Sequence, residues 1–312
     1  MANFVFVPAW VVQDLIVYLV GILAVGFILK KEPHPQSILM EFLCFTFLYA
    51  AVYENFATRM GWYAYGPSLL MIANVPLSIP IIEYLVVYAT LRLLGFTEMP
   101  AWCKPIIVGF VAMLFDFSLD PIAVKLIHSV NGGIIGRWSW YPRGSDVQIY
   151  GEPVYNFTGW VLICGYAASL LLAGRLWFRK SGYRRLVGIL YPLLCMIGAL
   201  GLLITPLSQL LLWLQPAYAK GSVGEWIMLG FWLVLPTAIL LVFWRGRMKG
   251  RFSLRENWIV ATVLIGFPAL NVITTLAAGV FDILWLVALC AVAEAILVLA
   301  VRLRGRTLAF HG

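Results

Sequence analysis

Apolar runs of about 20 residues, each long enough to cross a bilayer as a helix, recur along the whole chain. Nothing constrains its fold more, because lipid admits only elements that satisfy their own backbone, and a self-contained apolar run does so as a helix. Nine runs are expected as spans: roughly 10–29, 38–57, 69–94, 102–127, 154–177, 186–214, 224–244, 257–278 and 281–301. Pro206 marks a bend or an early end in the sixth. No basic segment precedes the first run, and Lys30 and Lys31 follow it, so it is expected to be a retained helix. The expectation is an all-α, polytopic transmembrane bundle forming one domain over residues 1–312, with the site within 38–177.

Basic residues set the direction. With the N-terminus outside and the C-terminus inside, only Arg59, Lys125, Arg137, Arg143 and Lys220 fall outside, and the rest of the 22 Lys and Arg fall inside. The formal charge of +8 therefore reads as anchors facing anionic lipid rather than as a nucleic-acid surface. The expected location is a bacterial or archaeal cell membrane. Cys44, Cys103, Cys164, Cys195 and Cys290 are scattered through apolar runs without a CxxC, and read as small core residues. His34, His128 and His311 lie in separate loops or ends, which excludes the histidine boxes of a membrane di-iron oxygenase.

Against this background the acids stand out, since a charged Asp at mid-span costs about 2.5–3.5 kcal/mol on the insertion scale. Asp116 and Asp120 lie one turn apart on one face of the fourth run, with Pro121 expected to kink the helix just beyond. Glu83 is near the middle of the third run, Glu54 in the outer part of the second, and Asn156 in the first turns of the fifth. By depth these converge in the outer half of the bundle. Glu41 lies near an inner helix end, where snorkelling to water accounts for it. Glu294 and Asn271 read as interhelical bonding groups, with membership of the site as the alternative.

Two carboxyls held close in low dielectric do not both ionise, so a neutral acid sits beside its partner's anion. Such a pair suits a proton relay in a transporter, a magnesium site for a diphosphate, or protonation of an alkene. The magnesium use is the weakest, because the chain has one DxxxD and few basic residues on the outer side. The arginines lie almost all in loops, which favours an apolar substrate over an anionic one. Alkene protonation also needs groups that stabilise a carbocation, and cation–π contacts supply about 2 kcal/mol or more when desolvated. Trp62, Tyr63, Tyr65, Trp138, Trp140, Tyr141, Tyr150, Tyr155 and Trp160 lie near the outer ends of the second to fifth runs. An interfacial aromatic belt explains most of them, leaving a few for the site.

The long loop 128–153 is turn-rich, with Gly132, Gly133, Pro142, Gly144 and Pro153, and either covers a site or simply connects two spans. Residues 61–84 and 136–160 echo each other. Each has aromatics around a proline, a later proline opening an apolar helix, and a polar residue three positions on: Glu83 after Pro80, Asn156 after Pro153. A duplicated helix pair explains the echo, with chance in aromatic-rich interfaces as the alternative.

Three stretches carry a family likeness: DFSLDP (Asp116 to Pro121), WSW (Trp138 to Trp140) and YGEPVYNFTGW (Tyr150 to Trp160). Over roughly residues 54–165 the chain resembles the membrane carotenoid-biosynthesis family, which includes the carotenoid 1,2-hydratases. A fainter likeness, to the small membrane lycopene and terpene cyclases, rests on PIIEY (Pro80 to Tyr84), which has one carboxylate where that pattern has two. Both resemblances imply that a carboxylic acid protonates a terminal isoprenoid double bond and yields a tertiary cation. Water capture then gives an alcohol, and capture by an internal double bond gives a ring. Neither route needs a redox cofactor or a metal.

The expected activity is therefore hydration of the end of an acyclic carotenoid or related isoprenoid, with a cyclase, or a proton-coupled transporter of an apolar substrate, as alternatives. Asp116 or Asp120 is the expected proton donor, with the other tuning it. Glu83 and Asn156 position water or the partner acid, and Glu54 joins them. Trp138, Trp140, Tyr150, Trp62, Tyr63 and Phe157 are the expected substrate-binding residues. The expected partners are a lipophilic isoprenoid and membrane lipid, not nucleic acid, and the oligomeric state is left open.

Overall fold

The computed structural model describes residues 9–130, 133–141, 147–211, 223–243 and 248–307. The expected positions Arg143, Lys220, Arg245, Arg247 and His311, the loop residues Gly132, Pro142 and Gly144, and 212–214 and 244 of the expected spans lie outside the described residues.

Among the described residues nine helices are long and apolar enough to cross a membrane: Trp10–Lys31, Pro35–Arg59, Ser78–Gly95, Cys103–Lys125, Val154–Lys180, Arg185–Leu203, Val223–Phe243, Trp258–Ala277 and Phe281–Arg304. The third and fourth spans form the centre. In each, 89% of the most apolar window is buried, against 22–50% in the others. The remaining helices turn Ile22, Leu186, Val234, Leu241 and Leu289 outward, as a lipid-facing surface requires.

Two spans are shorter than expected. The third begins at Ser78, because the preceding residues form strands. Strands β2 (Met71–Ile72) and β3 (Val75–Pro76) pair around a turn in which Ala73 takes a left-handed φ of 52°. The sixth ends at Leu203, where the amide and hydroxyl of Thr205 both turn back to the Leu202 carbonyl at 3.1 and 2.6 Å. Pro206 then opens a separate short helix, Pro206–Leu211. Pro121 lies inside the fourth span, which continues to Lys125 with one backbone donor fewer. The second span contains a π-helical stretch, Cys44–Ala50, whose wider turn rephases the residues that follow.

Short strands cap the end of the bundle where Asp14, Glu54 and Asp120 lie. Strand β1 (Tyr63–Tyr65) pairs antiparallel with β6 (Trp138–Trp140), in the register Tyr63↔Trp140 and Tyr65↔Trp138. Strands β4 (Ile127–Val130) and β5 (Gly133–Gly136) form a hairpin after the fourth span. Strands β7 (Gln148–Ile149) and β8 (Glu152–Pro153) form another before the fifth. The two stretches that echo in sequence thus share a plan of strand, two-residue hairpin and helix. The match extends to a left-handed residue in each turn, Ala73 and Tyr150, and to equivalent closing bonds of 2.8 Å, Leu77 N–H to Leu70 and Val154 N–H to Val147. The structural register pairs Pro76, not Pro80, with Pro153.

The fourth and fifth spans make the most extensive helix contact. It depends on Gly109, where an added Cβ would lie 2.4 Å from the Val161 carbonyl oxygen and 3.0 Å from its Cα. Gly109→Ala is expected to destabilise the protein by about 1–3 kcal/mol, the usual cost of overpacking. Thermal melting in detergent checks this against Gly230→Ala, where the added Cβ meets nothing within 4 Å and the helix should hold or gain stability.

Candidate active site

Five carboxyl groups, those of Glu54, Glu83, Asp116, Asp120 and Glu152, gather beneath the paired strands β1 and β6. All are buried, and the most exposed, Glu54, shows 5% of its surface. The Asn156 amide sits among three of them. Its Nδ2 donates to Asp116 Oδ2 and Asp120 Oδ2 at 3.0 Å each, and approaches Glu152 Oε2 at 3.3 Å. Local geometry makes this possible: Asp116 and Asp120 are one turn apart in the fourth span, and Glu152 and Asn156 are four apart where β8 runs into the fifth.

The other two acids are served by phenols. Tyr63 and Tyr65 alternate along β1, so both reach one face, and they donate to Glu54 Oε2 at 2.7 and 2.5 Å. Tyr53 donates to Glu83 Oε2 from the turn after the π-helical stretch. Glu54 and Glu83, Asp116 and Asp120, and Asp120 and Glu152 are near enough for each to bear on its neighbour's charge.

Four carboxyl oxygens, Glu83 Oε1, Asp116 Oδ1, Asp120 Oδ1 and Glu152 Oε1, are buried and receive no hydrogen bond from a donor among the described residues. Glu152, which lies outside the spans, is held well above the usual carboxylate range, first by burial and then by the charges of Asp120 and Asp116. The arrangement is therefore a buried cluster of acids with few protein donors among the described residues.

Aromatic rings close the cluster. Tyr63 packs on Trp140 with ring centroids 4.5 Å apart, and Tyr65 on Trp138 at 5.1 Å. The indole nitrogens of Trp138 and Trp140 are buried without an acceptor. Phe157 is fully buried and stacks on Phe117 at 4.0 Å, one turn from the acids. Two expected site residues point elsewhere. Trp62 packs edge-on against Phe56, and Tyr150 is bonded to the ninth span, accepting from Trp285 Nε1 at 2.8 Å and donating to the Asp282 carbonyl at 3.1 Å.

Several charged residues differ from expectation. Arg137 is buried, not a loop cation in water, and pairs with Asp14 at 3.6 Å while donating to Gln13. Asp14 in turn accepts from Ser68 and Ser78 at 2.7 and 2.8 Å, and the Arg137 charge also bears on Asp120. Glu41 does not snorkel. It is fully buried and takes a bidentate pair from Arg175 at 2.7 and 2.5 Å and a bond from Tyr191 at 2.6 Å. Arginines therefore do enter the bundle, each with a carboxylate. Asn271 makes an interhelical bond to Ser118 at 3.0 Å, and Glu294 is buried with no donor to either oxygen among the described residues.

Sequence reasoning passed over Glu152 and Tyr53. The signal for Glu152 was its four-residue spacing to Asn156 in GEPVYN, masked by Pro153 and the loop around it. Tyr53 is adjacent to Glu54, but a regular helix gave no reason to aim both at Glu83.

Glu152→Gln should remove a protonated-carboxyl stretch from the infrared spectrum at neutral pH. The same change at exposed Glu256 should leave that region of the spectrum unaltered.

A family model described as "Carotenoid biosynthesis protein" matches residues 13–219, a stretch that contains every member of the acid cluster. No curated protein and no solved structure gives a significant match.

Proposed function

Because the chain belongs to the carotenoid biosynthesis protein family, we propose that it is an enzyme that hydrates the terminal double bond of an acyclic carotenoid or related isoprenoid. The observation that carries this reading is the Asn156 amide shared among Asp116, Asp120 and Glu152, all buried beneath aromatic rings. An apolar alkene needs a strong proton donor in a dry place, and a buried carboxyl beside other carboxyls is one.

Asp116 or Asp120 delivers its proton to the inner, less substituted carbon of the terminal double bond, leaving a tertiary cation at the carbon that bears the two methyl groups and a carboxylate on the protein. The cation is stabilised by that carboxylate and by the faces of nearby rings such as Trp138, Trp140 and Tyr63. Water adds through oxygen, and its spare proton returns to the carboxylate. The acid is thereby restored, and the product differs from the substrate by one water. Glu83, Glu54 and Glu152 keep the pair supplied with protons, and Asn156 fixes its geometry. A small cavity lined by Gln13, Ser78, Arg137 and Asn271, beside Phe115 and Leu119, has room for about one ordered water.

Expression in a lycopene-producing host, followed by mass spectrometry of the pigments, tests the reading. A product heavier by one water, with its oxygen drawn from labelled solvent, is expected. Asp116→Asn and Asp120→Asn should each lower the yield about 100-fold or more, the usual share of a general acid. A new product of unchanged mass would make the chain a cyclase. Proton-gradient-dependent flux with no new product would make it a transporter, and full activity in both variants would remove the acid pair from the mechanism.

A further inference from the structure

A second polar site lies at the opposite ends of the helices from the acid cluster. It is a cavity of about 490 Å³, within the ordinary range for small-molecule sites. Arg92 in the last turns of the third span, Arg175 in the fifth, and Lys249 and Arg251 between the seventh and eighth spans all line it. Two of these cations are already matched. Arg92 pairs with Glu32 at 2.5 Å, with Tyr88 donating to the same carboxylate at 2.6 Å, and Arg175 pairs with Glu41. Lys249 and Arg251 have no carboxylate partner among the described residues.

The strap that carries these two cations is fixed. Met248 bridges Thr97, Lys249 N–H donates to the Phe96 carbonyl at 2.9 Å, and Phe252 is buried edge-on to Phe96 at 5.2 Å. Lys249 and Arg251 are thus held at the cavity between two anchors. Basic residues that only orient a membrane protein need a side of the bilayer, not a cavity or an anchored strap. The carbonyl ends of the third and fifth spans oppose an anion here, so the spare cations must outweigh them.

We infer that this cavity binds a phosphate group, with Lys249 as a point charge and Arg251 as a two-pronged donor. The phosphate comes either from an anionic lipid headgroup or from a soluble phosphate. This inference is independent of the reaction proposed for the acid cluster, and its test does not read activity.

The test uses the purified full chain in neutral detergent, with native mass spectrometry and thermal melting. Phosphatidylglycerol, phosphatidylcholine and inorganic phosphate are added in turn. Phosphatidylglycerol should be retained and should raise the melting temperature, and phosphatidylcholine should do neither. Binding of inorganic phosphate alone, with the same dependence on Lys249 and Arg251, would assign the site to a soluble ligand. The double variant K249Q/R251Q should weaken binding about ten-fold or more. R179Q/R255Q, which removes equal charge from residues that do not line the cavity, should keep it. G95L removes no charge but fills the cavity from a position where a Cβ meets nothing within 4 Å, and it should weaken binding as well. The inference is overturned if neither phosphate compound binds, if K249Q/R251Q and G95L both bind as the wild type does, or if R179Q/R255Q loses binding equally.

Discussion

A carboxyl group inside a lipid-embedded bundle has to meet a cation or a neutral donor, and this protein pairs some of its buried carboxyls with arginines and gathers others around an amide and phenols. Glu41 meets Arg175 in a two-pronged pair closed by Tyr191, which is a finished ion pair. Among the five acids at the other end, Asp116, Asp120 and Glu152 share a neutral amide, and Glu54 and Glu83 accept from phenols. An amide has two N–H groups, so it cannot fully serve three carboxylates. Protons on the acids themselves would meet the shortfall, which is the condition that the proposed acid chemistry calls for. The central placement of the third and fourth spans follows, because only enclosed helices keep such a cluster dry.

The strands complete the enclosure. Strand β1 brings tyrosines from before the third span, and β6 brings tryptophans from before the fifth. Their pairing ties the two segments over the acids, so the ring that covers a carboxyl and the hydroxyl that bonds it come from one short sheet. Arg137, next to β6, adds a buried cation matched by Asp14 from the first span. The first span is thereby joined electrostatically to the same end of the bundle.

Much of this was legible in the chain. Hydropathy gave the nine spans because lipid penalises any other backbone, and the cost of buried charge singled out Asp116, Asp120, Glu83, Glu54 and Asn156. What escaped was whatever depended on local backbone irregularity. The strands at 71–76 were hidden in an apolar run, since two-residue strands leave no periodic signal. Glu152 was hidden in a loop whose hairpin could not be foreseen, and Tyr53 behind a π-helical turn. Arg137 and Glu41 were misjudged for a common reason. Position along a span predicts depth but not partners, and each had found a counter-ion from a distant segment.

The two hairpins, β2–β3 and β7–β8, differ in the charge that they carry. Their strand pairing follows the same register, yet Val75 in the first occupies the place of Glu152 in the second. A repeated frame thus carries a one-sided distribution of charge. Among the described residues the carboxyl borne by the hairpin thus comes from the second copy of the frame alone, and the first copy presents an apolar side chain at the same place.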